Sequence, residues 1–211
     1  MFKTSTIGKI TIYLLLLPLS YFAIYPSVLY MYYTPEEGDI VFQSLSRSSD
    51  LVRAIEGVTD SEYSHCGVVI KEKGEWVVIE SLGKVIKTPL FTWLARGRGH
   101  RMDVFRFQDK HKKNMPQFKM ALSEYLGRPY DSRYRLDDEK IYCSELPYKA
   151  YLKCTGEELA SLESLNTLNW EPYIKTIEKY EKGKVPLDRK MITPIQLSQS
   201  AYLTLYMELG F

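Results

Sequence analysis

The chain carries little net charge. Across 211 residues, 28 lysines and arginines stand against 26 aspartates and glutamates, leaving a formal charge of +2. So close a balance gives no electrostatic footprint for nucleic acid, which is recognised by concentrated positive charge. There is no Gly-rich phosphate loop, no internal period and no low-complexity run, and the 17 tyrosines are scattered without a repeat. Cysteine is scarce: Cys66, Cys143 and Cys154 are the whole complement. None of the paired spacings of a zinc site occurs among them. Adjacent His65 and Cys66 would also point to opposite faces of a strand, which argues against zinc shared by His65, Cys66 and Cys143.

The N-terminus is poorer still in charge. Lys3 and Lys9 are the only charged residues before Glu36, and the run Leu14-Leu15-Leu16-Leu17 lies between. As a helix, Ile10 to Tyr33 would rise about 36 Å, enough to cross a hydrocarbon core of about 30 Å. Tyr30, Tyr32 and Tyr33 fall where an aromatic belt would lie. The span lacks a clear Ala-x-Ala cleavage site and exceeds a signal core, so the sequence favours an uncleaved transmembrane anchor over residues 1–35 rather than a removed signal peptide. Pro18 and Pro26 are the places where such a helix would kink or end. Positive charge ahead of the span keeps the N-terminus inside. The expected domain, residues 36–211, then lies outside the cytoplasm, or is secreted if the segment is cleaved. In an oxidising compartment three cysteines leave at least one thiol unpaired, and catalysis is one reason to keep it.

Beyond the linker Thr34 to Gly38, strand and turn signals come at short intervals. Asp39-Ile40-Val41-Phe42-Gln43 predicts a strand, and Asp50 to Ile55 a helix capped by Ser49 or Asp50. His65 to Lys71 and Trp76 to Ser81 predict two strands joined through Glu72-Lys73-Gly74-Glu75, a β-hairpin. Closed symmetrically about Lys73-Gly74, the hairpin sets Val69 opposite Val78 and Gly67 opposite Glu80. Side chains alternate along each strand, so His65 and Glu80 fall on one face, a diagonal step apart, with only Gly67 between them. Singly, His65 reads as a core histidine and Glu80 as a solvated strand end; their meeting is what marks them. Val85 to Leu90 extends the sheet, Phe91 to Leu94 is a short helix, and Met102 to Phe107 alternates as a strand. Arg96, Arg98 and Arg101 form a basic patch that reads as a solvated loop, or less readily as a contact for anionic lipid or substrate. Met115 to Leu126 is an amphipathic helix, and Tyr173 to Glu181 a charged one. Thr193-Pro194-Ile195-Gln196 carries a capped helix start, predicting a last helix to about Glu208.

The stretch Ile141-Tyr142-Cys143-Ser144-Glu145-Leu146-Pro147 predicts a helix start near Cys143, because proline is tolerated in a first turn and rarely deeper. Gly156 offers the stop. A cysteine at a helix start meets free N–H groups and the positive end of the helix dipole, which favour the thiolate. Most unpaired cysteines are simply small buried hydrophobes, so the position acquires meaning only with a base and an orienting group. His65 and Glu80 supply those roles, making Cys143, His65 and Glu80 the expected catalytic residues. The Cys143 N–H is the natural oxyanion donor, with Gln43 and Tyr142 as candidates for a second. Such a site attacks an amide or ester carbonyl, passes through an acyl-enzyme, and needs no metal or other cofactor.

Gly38 to Gln43, Tyr63-Ser64-His65-Cys66-Gly67-Val68-Val69, Val78-Ile79-Glu80-Ser81, Leu126-Gly127-Arg128-Pro129-Tyr130-Asp131 and Tyr142-Cys143-Ser144-Glu145-Leu146 occur in this order. As an ordered set they resemble the YiiX/YaeF-like branch of the NlpC-type papain-like cysteine hydrolases, as does Thr193-Pro194. That branch is circularly permuted, so its histidine precedes its cysteine, as here. The resemblance implies Cys143 as nucleophile, His65 as base and Glu80 as its polar partner. It also implies an α+β papain-like fold, with a small antiparallel sheet or partial barrel packed on the cysteine helix. Pro147 departs from the family's aliphatic residue and bears on the helix entry. The resemblance extends to substrates from cell-wall peptides to acyl lipids. The expected activity is therefore amide hydrolysis. The alternatives are a lipid acyl hydrolase or acyltransferase at the same site, or a silent membrane-anchored binding module.

Overall fold

The computed structural model describes residues 26–210. The chain divides into two units, residues 1–34 and 35–211. Of the first, residues 26–32 are helical, and the rest of the expected anchor lies outside the described residues. Among the described residues no helix is long and apolar enough to cross a membrane, so the structure gives the expected transmembrane helix no support.

The second unit is built on one antiparallel sheet of six strands in the order β4-β3-β2-β1-β5-β8. These are β1 (Ile40–Gln43), β2 (His65–Glu72), β3 (Glu75–Leu82), β4 (Lys84–Pro89), β5 (Met102–Phe107) and β8 (Leu203–Leu209). A small pair, β6 (Glu163–Ser164) with β7 (Lys190–Met191), lies apart from it in the topology. The helices are α1 (Asp50–Val58), α2 (Leu90–Arg96), α3 (Met115–Glu124), α4 (Glu145–Thr155), α5 (Ile174–Glu181) and α6 (Pro194–Ser198), with a single further turn at Asp109–Lys112.

The β2–β3 hairpin closes as its sequence dictates. Lys73 and Gly74 both take positive φ, 50° and 91°, the two-residue turn whose twist suits flanking strands. Val69 then pairs with Val78 and Gly67 with Glu80. Gly67 is required by close approach: a Cβ there would lie 2.4 Å from Val78 Cγ1 and 3.2 Å from Glu80 Cβ.

Alternation gives the sheet two buried faces. One carries Ile40, Phe42, Cys66, Val68, Ile70, Ile79 and Val85, in a single apolar cluster with Phe118 and Leu122 of α3 and Leu146, Ala150 and Tyr151 of α4. The other carries His65 and Glu80 and is met by Trp93 of α2, whose ring stacks on the His65 imidazole at 6.3 Å. Fully buried side chains at 20–33 cal/mol per Å² of apolar surface make this two-sided core the main source of stability.

Two expectations fail. The last segment is not a helix to Glu208. α6 stops at Ser198 and Leu203–Leu209 joins the sheet as an edge strand on β5. The capping box of Thr193 and Gln196 is real, but beyond it Leu203, Leu205, Met207 and Leu209 recur at period two, and tertiary pairing decides for a strand. The arginines are not a free basic patch either. Arg96 binds Glu80, Arg98 binds Glu56 and Arg101 binds Asp103.

Candidate active site

Cys143 stands two residues before α4. The Leu146 N–H already bonds the Tyr142 carbonyl at 3.2 Å, so the cysteine lies within the first helical turn, as Pro147 requires. Glu145 reaches back to accept the Tyr142 N–H at 3.0 Å, satisfying one of the donors a helix start leaves open. The turn is tied down from both sides. Ser144 Oγ donates to the Ile192 carbonyl at 2.8 Å, the Ile192 N–H donates to Tyr142 Oη at 3.0 Å, and Ser81 Oγ donates to the Ile141 carbonyl at 2.5 Å. At the other end Gly156 takes φ 77° and closes the helix through its N–H to Leu152, a left-handed cap open chiefly to glycine.

His65 Nε2 lies 2.5 Å from Glu80 Oε2. The imidazole also hydrogen-bonds to the Cys143 sulfur, and with Nε2 occupied by the carboxylate, Nδ1 is the nitrogen left for it. Glu80 is held in turn: Thr88 Oγ1 donates to its Oε1 at 2.5 Å, and Arg96 grips both oxygens at 3.0 and 2.6 Å. The structure thus brings together the three residues singled out in the sequence, in the order Cys143, His65, Glu80, all nearly devoid of solvent exposure.

Two further groups reach the sulfur. The Cys66 thiol and its backbone N–H both hydrogen-bond to Cys143. The Tyr130 hydroxyl does so as well, and the Tyr134 hydroxyl lies 2.9 Å from it, within hydrogen-bond reach.

These contacts set the protonation states. The Cys66 hydrogen bond, opposed by burial and reinforced by the His65 hydrogen bond and charge, holds the Cys143 thiol well below its ordinary range. For His65, burial favours the neutral ring, but hydrogen bonds to Cys143 and Glu80 and the charge of both outweigh it and raise the pKa to about 9. For Glu80, burial alone would favour the acid; His65 and Arg96 override it and lower the pKa to about 2. Burial pushes Tyr130 and Tyr134 up, so both remain hydroxyl donors. The shifts of Cys143, His65 and Glu80 all favour the charged forms, a thiolate beside an imidazolium with an ionised Glu80, a pairing able to activate a cysteine.

Residues 34–205 match the family model of the permuted papain-like amidase enzymes, YaeF/YiiX, the C92 family. The chain belongs to this permuted papain-like amidase family. It is 31% identical over 173 residues, 81% of this chain and 85% of the relative, to the uncharacterized protein YiiX of Escherichia coli strain K12. It is also similar to the crystal structure of the metalloprotein yiiX from Escherichia coli O157:H7, with a TM-score of 0.76 and 26% identity, covering 83% of this chain and 98% of that one.

Within this permuted amidase fold, several neighbours of the site were not legible as such. Thr88 was open to the same hairpin arithmetic: it pairs with Val78, two residues from Glu80, so it shares Glu80's face. Cys66 gave the opposite signal. It does lie on the face away from His65, but α4 packs on that face, so its thiol meets the nucleophile all the same. Tyr130 lies in the Leu126 to Asp131 stretch without any mark of its role. Of the candidates for a second oxyanion donor, Tyr142 is engaged with Ile192. Gln43 pairs with His65 in the β1–β2 register, and its buried amide makes no hydrogen bond to the described residues.

Proposed function

We propose that the protein is a thiol-dependent hydrolase of amide bonds, and the observation that carries this is the His65 imidazole lodged between Cys143 and Glu80. The Cys143 thiolate attacks the carbonyl carbon, and the electron pair moves to oxygen. The Cys143 N–H and the Tyr130 hydroxyl are the donors assigned to that oxyanion. Imidazolium gives its proton to the departing amine, leaving a thioester. Neutral His65 then takes a proton from water, hydroxide attacks the thioester, and the acid leaves as the thiolate re-forms. Glu80, fixed by Thr88 and Arg96, holds the ring and stabilises imidazolium.

The related yiiX structure is of a metalloprotein. The residues here do not fit a resident ion at Cys143: both imidazole nitrogens are engaged, and among the described residues no three His, Cys, Asp or Glu side chains are placed to hold a metal. The steps above accordingly use protein groups alone.

Family membership supports amides, of the peptide or cell-wall kind, as substrates. One observation favours a second reading, an acyl-lipid hydrolase or acyltransferase. An apolar cavity of about 80 Å³ lies between α1 and α5, lined by Ile55, Val58, Leu165, Ile177 and Met191 together with Tyr134, the hydroxyl partner of Tyr130. Its apolar lining suits the hydrocarbon part of an acyl group. Labelling the full chain with amide, ester and lipid electrophiles, then mapping the adduct, tests both. Capture of Cys143 by amide probes, and turnover of a matching amide, supports the amidase; capture only by long-chain esters supports the second reading. Adducts elsewhere overturn both.

A further inference from the structure

Gln43 has no task in the hydrolysis proposed above, yet its place in the fold calls for one. It is fully buried, and neither Nε2 nor Oε1 of its amide hydrogen-bonds to any described residue. A buried amide left unpaired weakens a fold, and native structures mostly avoid it. β1 sets Gln43 directly opposite His65 of β2. Residues opposite one another in an antiparallel pair share a face, with Cβ atoms about 4.5–5.5 Å apart. The amide and the imidazole therefore start as neighbours, on the face that also carries Glu80. Room for the amide is kept by Gly97, the residue after α2, where a Cβ would lie 2.8 Å from Gln43 Oε1.

Deacylation supplies the missing partner. His65 Nε2 is engaged by Glu80 at 2.5 Å, so Nδ1 is the nitrogen that handles the protons of the reaction. Once Cys143 is acylated and the amine has left, Nδ1 accepts one O–H of the attacking water. A water held by one bond alone is poorly aimed, and a second acceptor fixes its orientation. An amide oxygen beside the ring can accept the other O–H without first giving up a bond to the protein.

We propose that Gln43, together with His65, positions the water that hydrolyses the acyl-enzyme. One O–H of the water lies on Nδ1 and the other on Gln43 Oε1. The water oxygen bonds to the thioester carbon as its first proton passes to Nδ1, and the carbonyl electron pair moves to oxygen. Collapse of that adduct breaks the C–S bond. The acid leaves, the thiolate re-forms, and His65 is again imidazolium. A site equipped in this way takes water as its acyl acceptor in preference to an alcohol.

The inference rests on the acyl-enzyme of the hydrolase reading, and its test separates the two half-reactions. The full chain is acylated with p-nitrophenyl acetate. Release of p-nitrophenolate reports acylation, and rapid quenching with peptide mass spectrometry follows the acetyl group on Cys143. In Gln43→Met, acylation is expected to keep its native rate. Loss of the acetyl group should slow about tenfold, the effect of one hydrogen bond missing from a transition state. Hydroxylamine, a nucleophile that needs no positioning by the protein, should restore release in the variant. The urea midpoint should hold or rise, because methionine removes an unpaired buried amide. A purely structural role would instead lower the midpoint and slow both half-reactions alike. Gln43→Leu gives the same contrast if the methionine variant folds poorly. Deacetylation at the native rate in both variants overturns the assignment, as does equal slowing of acylation and deacetylation. Failure of Cys143 to acquire the acetyl group in the native chain overturns the hydrolase reading first.

Discussion

A thiol as deeply buried as Cys143, 1% exposed, is ordinarily inert, because burial in apolar surroundings raises its pKa. Here that penalty is reversed by donors: Cys66, His65 and Tyr130 all direct hydrogens at the sulfur. Cys66 and Cys154 lack such help, and burial pushes both thiols up. Limiting iodoacetamide at neutral pH is therefore expected to alkylate Cys143 before either of the others, as peptide mapping by mass spectrometry will report. His65→Ala should slow that alkylation and reduce turnover by about 10²–10⁴-fold, the usual worth of a general acid–base. Cys143→Ser should abolish turnover and leave the fold unchanged. Labelling spread evenly over the three cysteines would remove the chemical case for Cys143.

One element, the β2–β3 hairpin with its extension β4, sets the geometry of base and carboxylate. Its register depends on Gly67, where no side chain fits between Val78 and Glu80. Gly67→Ala should destabilise by about 1–3 kcal/mol through overpacking and separate His65 from Glu80, so the urea midpoint and turnover fall together. Thr88→Val makes a finer cut. It keeps the shape of a buried side chain but removes the hydroxyl that donates to Glu80 Oε1. The expected cost is about 1–3 kcal/mol in stability, with a loss of turnover smaller than that of His65→Ala, since Arg96 still grips the carboxylate. An unchanged urea midpoint and unchanged turnover in Thr88→Val would show that Glu80 needs no such support.

For the whole molecule the buried charges dictate a pH profile. Turnover requires imidazolium to protonate the leaving group, so its alkaline limb should lie near pH 9, where His65 loses its proton. Stability follows different limits. Glu80 has a folded pKa of about 2 against 4.5, so its contribution is present above pH 4.5 and lost as pH falls toward 2. His65, raised from 6.5 to about 9, by itself contributes stability that is full below 6.5 and lost on rising through 9. Cys143, depressed from 9.0, contributes in the opposite sense. Between pH 6.5 and 9 the unfolded chain keeps one proton on the thiol and the folded chain keeps one on the imidazole. The pair then binds equal protons in both states and gives no slope. Urea midpoints from pH 3 to 9 should show an acid fall, steeper in the native chain than in Glu80→Gln, and no contribution from the pair across the neutral range. Loss of turnover near pH 7 rather than 9 would mean that the ring is not held charged.

The sequence by itself determined what is local. Alternation and a Lys73-Gly74 turn are enough to place His65 beside Glu80, and a proline in a first turn is enough to place Cys143 at a helix start. The cap at Thr193 and the stop at Gly156 follow from single residues in the same way. What only the tertiary structure decided is what depends on elements distant in the chain. Leu203–Leu209 is a strand because an edge of β5 is there to pair with. Arg96 is a clamp on Glu80 because α2 folds back over that face. Cys66 reaches Cys143, though strand alternation turns it away from His65, because α4 packs on the opposite side of the same sheet. Backbone periodicity is written in neighbouring residues, whereas which face a later helix covers is settled by the packing of the assembled core.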